Sequence, residues 1–272
     1  MEIYGRKYNV YIPSGNPTAL VEGLEQDKNT RKKINDEIMR LYDNYVEQVG
    51  FVNPDINNPE LFMAGGEFCG NASRSATLYY LDGKPGEIML KVSGVEKKLR
   101  AGIDKYENVW VEMPVILGNF NKSINIINKD LSIVKMFGIT HIIVKSKEFE
   151  KYYDSEEELK KISFEMIKKH NLDNEPACGV MYLETNQSDF IIHPVVYVRE
   201  IDTLFYETAC GSGTTAVGLY ESALKRDSID INVIQPSNEF INVRVDVENE
   251  EIKQAFISGP VKILKRWKKI II

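Results

Sequence analysis

The feature that most constrains this chain is a stretch that occurs twice. Gly65-Gly66-Glu67-Phe68-Cys69-Gly70-Asn71-Ala72 follows the apolar run Leu61-Phe62-Met63-Ala64 and leads into small residues ending at Leu78-Tyr79-Tyr80-Leu81. Glu207-Thr208-Ala209-Cys210-Gly211-Ser212-Gly213-Thr214 repeats the plan, with Ala216, Val217, Leu219, Tyr220 and Ala223 on the apolar side of a helix expected over Thr214–Leu224. Each copy reads as strand, acidic residue, cysteine, glycine, small polar residue, helix. Two equivalent helix starts in one chain imply a duplicated domain. A cysteine at a helix start lies beside unpaired backbone N–H groups, whose partial positive charge favours a thiolate and can hold a carboxylate.

The rest of the chain fits two α+β halves. Residues 2–12 and Thr18–Glu22 read as strands around the turn Pro13-Ser14-Gly15-Asn16-Pro17. Asp27 or Asn29 would cap a helix carrying Ile34, Ile38, Leu41, Tyr42 and Tyr45. A strand over Glu47–Val52 comes next, and three runs, Glu87–Val92, Lys97–Ile103 and Val109–Met113, read as consecutive antiparallel strands. In the second half Thr140–Val144 is strand-like, and Ser155-Glu156-Glu157-Glu158 is a capping box opening a helix with Leu159, Ile162, Met166 and Ile167. Strands are expected at Gly179–Glu184, Asp189–Val198, Ile231–Ile234 and Phe240–Val247, and in a final stretch from Ile252. The expected division is 1–115 with Cys69 and 116–261 with Cys210, the last strand, about 262–272, returning to the first half.

Size and composition narrow the function classes. With 272 residues, 43% of them apolar and 27% charged, the chain can bury a substantial core. A net charge of −6 argues against nucleic acid as a partner. No apolar run approaches the ~20 residues that cross a bilayer, and the N-terminus opens in strand-like sequence rather than a signal core. Three cysteines without CxxC or Cys/His clustering fit neither a disulfide scaffold nor a structural zinc site. Free thiols in a reducing cytoplasm are the expectation.

A facing pair of cysteines suits one reaction: one thiolate removes a proton from one face of a carbon and the other thiol returns one to the opposite face. The substrate would be an α-amino acid, its carboxylate lying between the helix-terminal N–H groups of Gly70-Asn71 and Gly211-Ser212.

The two cysteine stretches resemble the catalytic signatures of the diaminopimelate epimerases and related cofactor-independent amino-acid racemases. Gly15-Asn16 resembles the family's N-terminal Gly-Asn, whose asparagine contacts substrate. Gly138-Ile139-Thr140-His141 is similar to its Gly-Asn-Pro-His segment without the asparagine, and Gln235-Pro236-Ser237-Asn238 to its Pro-Gly-Gly turn. The resemblance implies two similar α+β halves, each a curved, mostly antiparallel sheet around a central helix. It also implies a site between the halves, Cys69 and Cys210 as catalytic pair, and no metal, pyridoxal phosphate or other cofactor. By it, Asn16, Gly70, Asn71, Gly211, Ser212 and His141 contact substrate, and a homodimer is compatible with it.

Departures bear on the substrate. The epimerases carry a Glu-Arg pair before the second cysteine, and here Glu200–Phe205 has no arginine. The combination Tyr11–Asn16, Glu47–Phe51, Glu67–Ala72 and Cys210–Thr214 resembles more closely the histidine racemases of staphylopine-type metallophore biosynthesis. By that similarity Glu47 and Gln48 contact an imidazole or a basic side chain. Histidine is the expected substrate; diaminopimelate and other polar amino acids are the alternatives, and a thiol redox or amino-acid-binding protein is the alternative of another class. Cys178, His170 and His193 read as structural, and Glu207 as positioning the turn before Cys210. The basic residues of 262–269 read as a solvated face.

Overall fold

A computed structural model describes residues 2–145, 154–186 and 189–264. The chain divides into two compact units, Met1–Val111 with Gly259–Ile272, and Glu112–Ser258. The strand expected over 262–272 is described as Val261–Ile263, and from residue 265 it lies outside the described residues.

In the first unit the strand order runs Val261–Ile263, Arg6–Pro13, Thr18–Glu22, Gln48–Val52, Glu60–Met63, Gly86–Val92, Leu99–Ile103, Val109–Glu112. Two neighbours are parallel: Thr18–Glu22 with Gln48–Val52, and Glu60–Met63 with Gly86–Val92. Each parallel step is bridged by a helix, α1 (Lys28–Leu41) in the first case and α2 (Gly70–Leu81) in the second. The other pairs are antiparallel; those between consecutive strands are joined by turns or loops, whereas Val261–Ile263 pairs with Arg6–Pro13 only after the chain has passed through the second unit. The expected strand 2–12 is interrupted by a turn at Tyr4-Gly5, both at positive φ.

α1 is a surface helix. Asp27 caps it, accepting from the Thr30 N–H at 2.7 Å, and Ile34 and Ile38 pack on Val10, Val21, Val49 and Phe51. α2 differs, being buried over most of its length despite a sequence rich in serine and threonine. The hydroxyls of Ser73, Ser75 and Thr77 donate to the carbonyls of Cys69, Asn71 and Ser73, so each bonds its own helix one turn back. That internal satisfaction lets small polar residues enter the core without an orphaned group.

The second unit repeats the scheme. Its order is Ile124–Ile126, Leu131–Met136, Ile139–Lys145, Ala177–Asn186, Asp189–Val198, with Thr203–Tyr206 and Ile229–Ile234 both pairing to the last, then Phe240–Glu248 and Glu251–Gly259. Again the parallel steps carry the helices. α3 (Glu156–Lys169) joins Ile139–Lys145 to Ala177–Asn186, and α4 (Gly211–Lys225) joins the parallel pair Asp189–Val198 and Ile229–Ile234. Ser155 caps α3 through the Glu158 N–H, as the capping box requires, and Leu159 and Ile167 pack on Ile142, Val180 and Val195. α4 is the buried helix, with Thr214 and Thr215 donating to the carbonyls of Cys210 and Gly211. It begins at Gly211, three residues before the expected Thr214. Among the described residues no helix is long and apolar enough to cross a membrane.

Candidate active site

Both cysteines occupy the same structural position, the N-cap of the buried central helix of their unit. Cys69 has φ −135° and ψ 115°, and Cys210 has φ −127° and ψ 107°, a difference of 8° in each angle (135 − 127 and 115 − 107). In each case the sulfur takes the place of a capping oxygen and accepts the N–H of the third helical residue. Ala72 N donates to Cys69 Sγ at 3.3 Å and Gly213 N to Cys210 Sγ at 3.2 Å. Both thiols are reduced and buried.

Around Cys69 the structure assembles five of the expected site residues, Asn16, Glu47, Gln48, Gly70 and Asn71, from three sequence segments. Gln48 is nearest, its Oε1 accepting the Cys69 thiol at 2.6 Å. Gln48 was expected at the substrate's side chain, and its position at the end of a strand adjoining the cysteine puts it on the sulfur. Glu47, the residue before, is buried, and its Oε2 accepts from Asn16 Nδ2 at 2.6 Å. Asn16 is itself oriented by Thr18, whose hydroxyl donates to Asn16 Oδ1 at 3.0 Å. Ser14 and Gly15, at φ 49° and 91°, form the tight turn that presents it. Arg74, fully buried on α2, fastens that turn to the helix by donating to Ser14 Oγ at 3.2 Å and Asn71 Oδ1 at 2.9 Å. Asn71 and Gly70 lie in the first turn of α2.

The Cys210 cluster has a different character. Ser212 Oγ is 3.5 Å from the sulfur and 2.8 Å from His141 Nε2. His141 is fully buried, and burial pushes its pKa down to about 3, only partly opposed by the neighbouring Gly179 backbone. It is a neutral imidazole at physiological pH, a hydrogen-bonding partner of Ser212 rather than a charge. Burial also raises the Cys210 thiol well above its ordinary range, and the Glu207 carboxylate, which it hydrogen-bonds, raises it further. Ser212 and the Gly213 N–H pull the other way without prevailing. The helix N-terminus was expected to favour a thiolate here. Desolvation and an adjacent carboxylate outweigh it, so Cys210 rests as a thiol. Glu207 is therefore in contact with the Cys210 thiol, beyond its expected part in the turn.

Two further residues contact the Cys210 segment without having been expected there: Met181 on the Ala177–Asn186 strand, and Gln235 in the turn after Ile229–Ile234. Met181 fills the space beneath the first turn of α4: a Cβ on Gly213 would lie 2.2 Å from Met181 Sδ and 3.2 Å from Cys210 Sγ. Gln235 accepts the Cys210 N–H at 2.9 Å. Cys178 is core, its thiol pushed up to about 12 by burial, and His193 bridges Tyr206 and Glu184 at 2.9 Å each.

Residues 7–268 match the family model described as the histidine racemase CntK N-terminal domain. A histidine racemase of Fusobacterium nucleatum is 34% identical over 276 residues, covering 94% of this chain and 93% of its own. One from Staphylococcus aureus is 27% identical over 245 residues, covering 86% and 87%. Among solved structures, a predicted epimerase from Pseudomonas aeruginosa shares the fold with a TM-score of 0.65 at 13% identity, covering 98% of this chain and 99% of its own.

Proposed function

The chain belongs to the histidine racemase CntK family, and from that premise we propose that it interconverts L- and D-histidine with Cys69 and Cys210 as its acid/base pair. The observation that carries the assignment is the matched N-cap geometry of the two cysteines, each with an N–H of its own helix on the sulfur. A matched thiol at both positions suits acid/base work on the two faces of one carbon.

In one direction a Cys69 thiolate takes the Cα proton. The C–H bond breaks, its electron pair delocalises into the carboxylate, and the S–H bond of Cys69 forms. Cys210 then delivers its thiol proton to the opposite face, a new C–H bond forms, and Cys210 is left as thiolate. The reverse reaction exchanges the roles, so protons and charge balance over each turnover without a cofactor. A thiol held protonated by burial and Glu207 suits the acid in the forward direction, and once deprotonated it is the stronger base for the return. The backbone N–H groups of Gly70-Asn71 and Gly211-Ser212 would meet the carboxylate, where charge develops in the transition state. Asn16 and the buried Glu47 would meet the substrate's polar ends, Glu47 accepting an imidazole N–H. Two free thiols at the site favour a reducing compartment such as the cytoplasm.

The test is turnover of an amino-acid panel under reducing conditions by wild type, Cys69→Ala and Cys210→Ala. Loss of optical activity for L-histidine by wild type, and by neither variant, is expected. Turnover of diaminopimelate but not histidine would reject the substrate, and racemisation at the wild-type rate by either variant would reject the acid/base pair.

A further inference from the structure

We infer that Gln235 is a positioning residue for the reaction, fixing the Cys210 sulfur by clamping the cysteine's backbone. The inference rests on Cys210 being an acid/base group, as proposed above.

An N-cap residue normally leaves its own N–H to water or to a capping-box side chain. At α4 neither serves, because Cys210 and the first turn are buried. The N–H goes instead to Gln235 Oε1 at 2.9 Å. Gln235, 1% exposed, then spends both amide hydrogens: Nε2 donates to Thr214 Oγ1 at 3.0 Å and to the Val233 carbonyl at 2.9 Å. Thr214 Oγ1 donates in turn to the Cys210 carbonyl at 2.7 Å. The bonds close a ring running from the Cys210 N–H through Gln235 and Thr214 back to the Cys210 C=O. Both peptide groups of the cysteine are thereby tied to one side chain.

The clamp has a rigid base. The Gln235 N–H donates to the Glu239 carbonyl and the Asn238 N–H to the Gln235 carbonyl, both at 2.9 Å, with Asn238 at φ 62° closing the turn. From the same turn the Ser237 N–H donates to the Thr208 carbonyl at 3.0 Å, gripping the segment that enters Cys210. Within these bonds Gln235 touches the peptide of the cysteine and not its sulfur. It acts on the direction in which Cβ–Sγ points, and proton transfer falls steeply when reacting atoms are misplaced by about 1 Å.

The test compares Gln235→Leu with wild type for histidine racemisation, the α-deuterium isotope effect on kcat, and the alkylation rate of Cys210 by iodoacetamide, read on its peptide by mass spectrometry. Positioning predicts that kcat falls about tenfold or more while KM moves by less than about threefold, with a larger isotope effect. Cys210, no longer held, alkylates faster. Thr214→Val breaks the ring at another member and should give the same signature, which keeps the proposal testable if the leucine variant does not fold. Wild-type kcat per folded molecule, isotope effect and alkylation rate in a folded ring-breaking variant would overturn it. Alkylation needs no substrate, so failure of the histidine assignment is seen separately, as wild type that does not turn over histidine.

Discussion

Gly213→Ala adds a single methyl group beside the Cys210 sulfur, and its consequence follows from the packing. The new Cβ would sit 2.2 Å from Met181 Sδ, 3.3 Å from Met181 Cε and 3.2 Å from Cys210 Sγ. Ordinary carbon contacts lie at about 3.5–4.0 Å, so the methionine must retreat by more than ~1 Å. Its three rotatable bonds permit some of that. It is nonetheless fully buried, so its retreat must displace other core side chains. Overpacking of this kind costs about 1–3 kcal/mol, against a helix-propensity gain of at most about 1 kcal/mol for alanine over glycine. The net expectation is destabilisation by about 1–2 kcal/mol, a fall in Tm of about 2–8 °C for a unit of this size. Activity should suffer more than stability, because the same methyl crowds the sulfur and disturbs its bond from the Gly213 N–H. We expect kcat for L-histidine, followed polarimetrically, to fall about tenfold or more with little change in KM. Met181→Ala in the same background should restore part of kcat while lowering Tm further. Wild-type kcat in the folded single variant would refute the reasoning that Met181 and Gly213 jointly set the sulfur's position.

Other expectations come from the electrostatics. Glu207→Gln removes the charge that, after burial, raises the Cys210 thiol, so the pH dependence of Cys210 alkylation should move to lower pH; an unmoved curve would take Glu207 out of the site. His141 stays neutral down to about 3 in the folded chain while the unfolded chain takes up the proton near 6.5. Its contribution to stability is therefore complete above 6.5 and lost as pH falls toward 3, at up to about 1.4 kcal/mol per pH unit. Urea unfolding at about pH 7 and 5.5 should show His141→Gln losing ~1 kcal/mol less than wild type between the two. Asn16→Ala removes one hydrogen-bond donor to Glu47, and kcat/KM for histidine should drop about tenfold or more, with retention of wild-type kcat/KM counting against a binding role.

What the sequence disclosed and what it hid divide along physical lines. The duplicated cysteine motif, the Asp27 cap and the Ser155 capping box are local signals, and the structure has the helices where they pointed. The first turn of α4 was illegible because Gly211, Ser212 and Gly213 are poor helix formers; the turn is held by burial, by Met181 and by Gln235. The strands Ile124–Ile126, Leu131–Met136 and Thr203–Tyr206 are short and mixed in polarity, and register with long neighbours defines them. Gln48 and Glu47 were expected at the substrate, and only pairing of Gln48–Val52 beside the Glu60–Met63 strand reveals that Gln48 reaches the Cys69 sulfur. Gln235 lies 25 residues from Cys210 in sequence, and no spacing rule connects a buried amide to a backbone N–H at that distance.

The central claim is inversion by two separate monoprotic bases. Early in the reaction of protiated L-histidine in deuterated water, each turnover should remove the Cα proton to one sulfur and deliver a solvent-derived deuteron from the other. The D-histidine formed should therefore carry deuterium at Cα from the start, while the unreacted L-histidine remains protiated, as read by mass spectrometry after chiral separation. D-histidine that keeps the original proton, or deuterium entering recovered L-histidine as fast as D-histidine appears, would contradict the two-thiol account.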